Sequence, residues 1–365
     1  MNGAAFANWV TRIPQVQRRL GLGEAALGFA LFGVAAGALV AMPLTGRLVG
    51  RWGSGPATRW LALAFCASLP LPALAPSFAW LVLALVALGA ANGGMDVAMN
   101  AQAAAVERTR GAPVMASFHA LYSTGGLLGA LSGAAFAGRG VPPPAHLAAV
   151  ALALGLVALA AGRGLLPGQA DAYGEAGPPL ARPDRSLLAL AALAFCVLLC
   201  EGAIADWSAV YMVKVTGSSA AMAAAAFAAF SLAMAVGRFA GDGLTRRFGP
   251  ARLVRGGGLL AAAGLGVGLA TAHPFASLVG FGCVGAGFSC VFPCIVRAAA
   301  RSRTLAAGAA IAAVSTVGYG GFLAGPPVIG ALGEAFTLRG GLGLVVALGL
   351  AVAALAPQVD PSPSL

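Results

Sequence analysis

Charge is what this sequence has least of. Asp, Glu, Lys and Arg together make up 9% of its 365 residues, against about 25% in an ordinary soluble domain. A water-exposed globular surface is thereby excluded. Lysine is almost missing, with Lys214 the single one among 22 basic residues. The three histidines, His119, His146 and His273, stand one to a segment and far apart, so no His-rich metal or catalytic cluster can be assembled from neighbours in sequence. The six cysteines (Cys66, Cys196, Cys200, Cys283, Cys290, Cys294) all sit inside apolar runs. They form no C-x-x-C pair, and their i,i+4 pairs lack His or acidic company suited to a metal. They read as inert buried thiols, and no metal or other cofactor is expected. No phosphate loop G-x-x-x-x-G-K-[ST] is present, so ATP does not drive this chain directly. The first twelve residues have neither the basic start nor the apolar stretch of a cleavable signal.

What fills the sequence instead is apolar, at 59% of residues. A bilayer is crossed by about 20 apolar residues per helix. Apolar runs fall at about 24–49, 58–76, 78–104, 113–137, 145–166, 186–213, 219–244, 251–272, 274–300, 305–333 and 337–356. These are long Ala, Leu, Gly and Val runs without the ten-residue alternation of a membrane β-barrel. Eleven full spans result, preceded by MNGAAFANWVTRIP, which reads as the last third of another. The net charge of +11 does not indicate a nucleic-acid binder, because the charges lie in short clusters between apolar runs and not on one soluble face.

The chain repeats itself. Arg51-Trp52-Gly53 is matched by Arg247-Phe248-Gly249 at an offset of 196, ANWV (7–10) by ADWS (205–208) at 198, and YSTGG (122–126) by VGYGG (317–321) at 195. Parallel internal repeats are a transporter architecture. The Pro-, Gly- and charge-rich stretch between the halves marks a linker. The expected organisation is an N-terminal six-helix bundle over 1–166, a cytoplasmic linker over 167–185, a C-terminal six-helix bundle over 186–357 and a cytoplasmic tail over 358–365. About twenty residues of the seventh span precede Asp206, but only seven precede its counterpart Asn8. The first helix therefore lacks roughly a dozen residues by this comparison, which either a start codon assigned too late or a tolerated short helix explains. Placing the linker and every second loop in the cytoplasm puts 16 of the 22 basic residues inside and 6 outside, in line with the positive-inside rule. Both termini are then cytoplasmic, in a bacterial inner membrane.

Polar residues at bilayer depth are costly and are functional candidates by default. Asn92, Asp96 and Asn100, at i, i+4 and i+8, share one helical face, and His119 on the following helix lies at a similar depth. Asp96 reads either as a proton- or substrate-coupling acid or as a static interhelical partner of His119. Glu201 lies near the middle of its span, where burial favours the neutral form of a carboxyl. It belongs either to a transport cavity or to a structural pair with an arginine such as Arg12. Asp206, aligned with Asn8, reads as coupling acid, gate or packing. Arg12 is either an outer-rim cation or a binder of an anion or of Glu201. Trp9 and Trp207 suit stacking on a sugar ring or an interfacial aromatic belt. Tyr122, Ser123, Ser315, Thr316 and Tyr319 offer hydroxyls to a substrate, or bond back to their own helices. Gly125, Gly126 and Gly129, with Gly320, Gly321 and Gly325, allow close helix packing, and Pro293, Pro326 and Pro327 are expected to kink their helices.

With these features the sequence resembles the major facilitator superfamily over its whole length apart from the start of the first helix. The family's loop, roughly G-x-x-x-D-R-x-G-R-R, is matched by Gly46, Arg51 and Gly53, with Gly50 in place of the Asp. The second copy keeps Arg238, Gly241, Asp242, Arg247, Gly249 and Arg252. The resemblance implies an all-α, twelve-helix fold in two six-helix bundles and a conformational gate at these loops. VMASFHALYSTGGLLGA (114–130) and the Asn- and acid-bearing helix before it resemble the fucose-permease-like, proton-coupled sugar branch, whose helix-1 acid is absent from the part of helix 1 present here. The implied function is secondary transport of a small solute by alternating access, coupled to protons, with a sugar or polyol as substrate. Export of lipophilic drugs or cations by antiport, and a non-transporting sensor on the same fold, are the alternatives. A membrane-embedded enzyme is not expected. The partners implied are solute, protons and the bilayer, with the chain a monomer and no nucleic acid.

Overall fold

A computed structural model describes residues 1–110, 115–167, 185–299, 301–302 and 307–360, the side chains of 107–108, 115–117, 119–120, 185–186, 307–309 and 311–312 excepted. The chain divides into two compact units, Met1–Glu175 and Ala176–Leu365. In the first, α1 (Asn2–Val10) and α2 (Ile13–Leu20) are followed by α3 (Glu24–Trp52), α4 (Ser54–Ser68), α5 (Leu71–Leu74), α6 (Phe78–Arg110), α7 (Met115–Gly138) and α8 (Pro143–Ala161). The second holds α9 (Arg185–Lys214), α10 (Ala220–Phe248), α11 (Pro250–Thr271), α12 (Pro274–Phe288), α13 (Val291–Ala299), α14 (Ala307–Ala335) and α15 (Leu338–Leu355). Nine of the described helical segments are long and apolar enough to cross a membrane. With α1–α2, α7 and α14 they make up a twelve-helix, all-α integral membrane fold.

The eleven apolar runs correspond to helices within a few residues. Helix α3 continues past its run to Trp52 and α10 to Phe248, because arginines near a helix end keep their heads in the interface while the stem stays apolar. Breaks follow proline chemistry in part. Helix α12 ends at Phe288 and α13 begins at Val291, just ahead of Pro293, whose missing N–H and ring are tolerated only in a first turn. Pro14 likewise opens α2. Pro326 and Pro327 instead lie inside an uninterrupted α14.

Within the first unit α3 lies along α6, α1 along α7, and α4 against α6 and α8. Small residues make this approach possible: a side chain on Gly37 would meet the Val86 carbonyl, and one on Gly89 the Val34 carbonyl. In the second unit α9 lies along α14, and α12 is flanked by α10 and α11. There Gly257 and Gly287 face each other backbone to backbone. Tyr211, Phe281 and Phe288 are buried in its interior, the first two ring edge to ring face at 6.0 Å. Cys66, Cys200, Cys290 and Cys294 are buried, Cys196 and Cys283 half-buried, and all six are free thiols.

The repeated R-aromatic-G has a backbone cause. Gly53 turns α3 into α4 at φ 82°, ψ 162°, and Gly249 turns α10 into α11 at φ 78°, ψ 155°. Only glycine adopts that region without strain.

Candidate functional site

Among the described residues, three clusters of polar groups inside the spanning helices include the expected site residues. The first hangs on α1. Arg12 is 1% exposed and its Nε donates to His146 Nδ1 at 2.8 Å. Because a guanidinium only donates, Nδ1 carries no proton, so the neutral ring is the Nε2–H tautomer. Nε2 then donates to Asn8 Oδ1 at 2.7 Å. The Ser132 hydroxyl reaches the same oxygen at 2.9 Å, Asn8 Nδ2 donates to the Ala4 carbonyl at 2.8 Å, and Phe136 stacks on the imidazole with centroids 4.3 Å apart. The network ties α1 to α7 and α8 and includes no carboxylate. Arg12 Nη2 and Trp9 Nε1 are buried without a hydrogen-bond partner among the described residues.

Arg12 is therefore enclosed by the protein, and its hydrogen-bonding partner is His146. Trp9 and Trp207 are 1% and 0% exposed, so their rings are enclosed by the protein and do not form a lipid-facing belt. His146 and Ser132 were not among the expected site residues. His146 stands at the edge of its apolar run, where a histidine reads as an interfacial residue. The signal that would have raised it is the rule that ionisable groups within a span seek partners inside the protein.

The second cluster runs along α9. Glu201 Oε2 stands 3.7 Å from Arg238 Nη2 of α10, while its Oε1 is buried with no hydrogen-bond partner among the described residues. Within its own unit Glu201 thus pairs with Arg238, a residue expected in the gate. Asp206 is 8% exposed and, among the described residues, has neither an ion pair nor a hydrogen bond. The next two polar groups, Trp207 Nε1 and Ser208 Oγ, are also buried and without a partner among the described residues. Such groups normally find partners, so three in succession without one among the described residues single out this segment of α9.

The third cluster is on α6. Asn92, Asp96 and Asn100 are half-buried along one face. Asn100 Nδ2 donates to the Asp96 carbonyl at 2.8 Å, so it serves its own helix, whereas Asn92 Oδ1 is buried with no partner among the described residues. The expected Asp96–His119 pairing falls on a side chain outside the described residues. Tyr122 and Tyr319 are exposed, Ser123 is buried and Ser315 is half-buried.

At the loops, Asp242 forms an ion pair with Arg297 of α13, and Arg247 lies over the Phe248 ring at 5.3 Å. Gly46 occupies the position of Asp242 in the first copy and faces open space, so the acidic half of that ion pair is missing there. Arg51 is exposed.

Comparison with known proteins agrees with this architecture. The chain is 35% identical over 357 residues to an uncharacterized MFS-type transporter of Yersinia pestis, covering 98% of this chain and 92% of that one. It is 35% identical over 360 residues to the uncharacterized transporter y4wD of Sinorhizobium fredii, with 98% and 95% covered. Membrane protein MosC of Rhizobium meliloti is 34% identical over 356 residues, with 97% and 86% covered. Two similar solved folds are a bacterial homolog of the human lysosomal transporter Spinster in its inward-facing, occupied conformation (TM-score 0.70, 17% identity, 100% of this chain and 97% of that one) and the nucleoside transporter NupG (TM-score 0.69, 14% identity, 98% and 94%). The profile described as Major Facilitator Superfamily matches residues 1–326, and the chain belongs to that family of membrane transporters.

Proposed function

We propose that the protein is a proton-coupled secondary transporter of a small neutral solute, a sugar or polyol, working by alternating access with α9 as the coupling helix. The observation that carries this reading is Asp206. An ionised carboxyl in a span is expensive, and this one has no counter-cation or donor among the described residues. A carboxyl in that setting is neutral while it holds its proton and needs a new partner once it gives the proton up, which is the behaviour coupling requires. Glu201, held loosely by Arg238, is positioned to tune the same helix, and Asp96 is the coupling candidate of the first unit. Asn92, Tyr122, Ser315 and Tyr319 supply hydrogen-bonding groups of the kind a hydroxyl-rich solute uses. The chain is read as a monomer in a bacterial inner membrane with cytoplasmic termini, linker 167–185 and tail 358–365.

The test is uptake of labelled sugars, polyols and nucleosides into proteoliposomes with an acid-outside gradient. A gradient-driven accumulation is expected. Asp206→Asn should abolish that accumulation, a loss of at least about tenfold, while solute exchange without a gradient persists. Accumulation indifferent to the gradient, or unchanged in Asp206→Asn, overturns the coupling role. Proton-driven movement of lipophilic cations alone reassigns the protein to the exporter class, in which Asp206 meets the cation directly.

A further inference from the structure

Helices α10 and α11 leave a groove between them, floored by α12, of about 690 Å³. Its walls are apolar, with Leu232, Val236 and Leu253 among them, and it is deepened where Gly256 and Gly257 carry no side chain. Leu232 and Val236 are 48% and 59% exposed, so the groove is open at the surface. Arg252 is the one charged residue in its lining among the described residues. It stands beside the α10–α11 turn, where Arg246, Arg247, Arg252 and Arg255 fall within ten residues and are all exposed. None of these four is in an ion pair among the described residues. The acids at this end are otherwise engaged: Asp242 pairs with Arg297, and Asp360 Oδ1 accepts from the Ala251 amide at 3.2 Å.

We infer that this groove is a binding site for an anionic phospholipid, one acyl chain lying between α10 and α11 and the phosphate on Arg252. Two properties choose the occupant. An apolar trough of this size on spanning helices is solvated by acyl chains and not by water. The uncompensated arginines at one end favour a headgroup with net negative charge over a zwitterion, as basic pockets between transmembrane helices do elsewhere. Arg252 is suited to the phosphate by its planar fork of donors.

The experiment titrates the delipidated full-length protein in detergent with dioleoylphosphatidylglycerol, dioleoylphosphatidylcholine or glycerol phosphate and follows the melting temperature. Phosphatidylglycerol is expected to raise it saturably, as any ligand of the native state does, and phosphatidylcholine to do so more weakly. Arg252→Gln should raise the phosphatidylglycerol concentration at half-saturation about tenfold, the worth of one charged hydrogen bond. Gly256→Leu, at a position facing open space, should fill the trough and weaken binding with Arg252 intact. Equal shifts from both lipids, or a preference retained in both variants, overturn the site. A full shift from glycerol phosphate overturns it too, since the groove would then be unused.

Discussion

A guanidinium can be kept inside a membrane bundle without a carboxylate if a neutral imidazole accepts from it, and Arg12 is held that way. His146 is locked as the Nε2–H tautomer between a donor that cannot accept and an amide oxygen that cannot donate. Removing either member strands a buried polar group, which is where hydrogen-bond deletions become expensive. Arg12→Met and His146→Leu alone are each expected to cost about 2–4 kcal/mol. The double variant should cost less than their sum by about 1–3 kcal/mol. A thermal double-mutant cycle in detergent measures this, and strict additivity would show that the contact carries no coupling. At this scale the sequence was only partly legible. Asn8, Arg12 and Asp206 stand out as polar residues in apolar surroundings. His146 and Ser132 do not, because a histidine at the rim of a run and a serine among glycines look ordinary until folding brings them to one oxygen.

Among elements, the close contacts are set by particular glycines and not by glycine content. On α7 a Cβ at Gly129 would collide with the backbone of Ala4, whereas one at Gly126 meets nothing. On α14, Gly321 abuts the Phe195 carbonyl and Gly320 is free. Overpacking of this kind costs about 1–3 kcal/mol. Gly129→Ala and Gly321→Ala should therefore lower the melting temperature, while Gly126→Ala and Gly320→Ala leave it unchanged or raise it, since alanine is the better helix former. A loss of stability from all four would refute the assignment of contact faces. Span positions were readable from apolar run length, which the bilayer imposes directly. Which prolines break a helix was not. Pro293 stands at the start of α13, whereas Pro326 and Pro327 are accommodated in α14, a distinction that depends on how neighbouring helices satisfy the freed carbonyls.

Across the whole molecule, the repeat preserves backbone geometry and lets charge diverge. Gly53 and Gly249 share their φ and ψ, yet Asn8 sits in a hydrogen-bond network while its counterpart Asp206 has no hydrogen bond among the described residues, and Gly46 stands where the second copy has Asp242. The repeat was visible in sequence in part because its turns at Gly53 and Gly249 favour glycine. The α1 network was not, since it joins residues 124 to 138 positions apart. The Asp242–Arg297 pair is exposed, so Asp242→Asn should cost under about 1 kcal/mol of stability. A change in turnover without a change in melting temperature would assign the pair to gating; a large loss of stability would assign it to the scaffold. The thiols carry a practical consequence of a different kind. Since all six lie within membrane-spanning segments, four of them buried, a membrane-impermeant maleimide should leave the unmodified chain unlabelled in intact vesicles. A single cysteine introduced at a loop position such as Arg139 then reports its own sidedness against a silent background, which makes the native sequence a ready host for topology mapping and spin-label distance measurements.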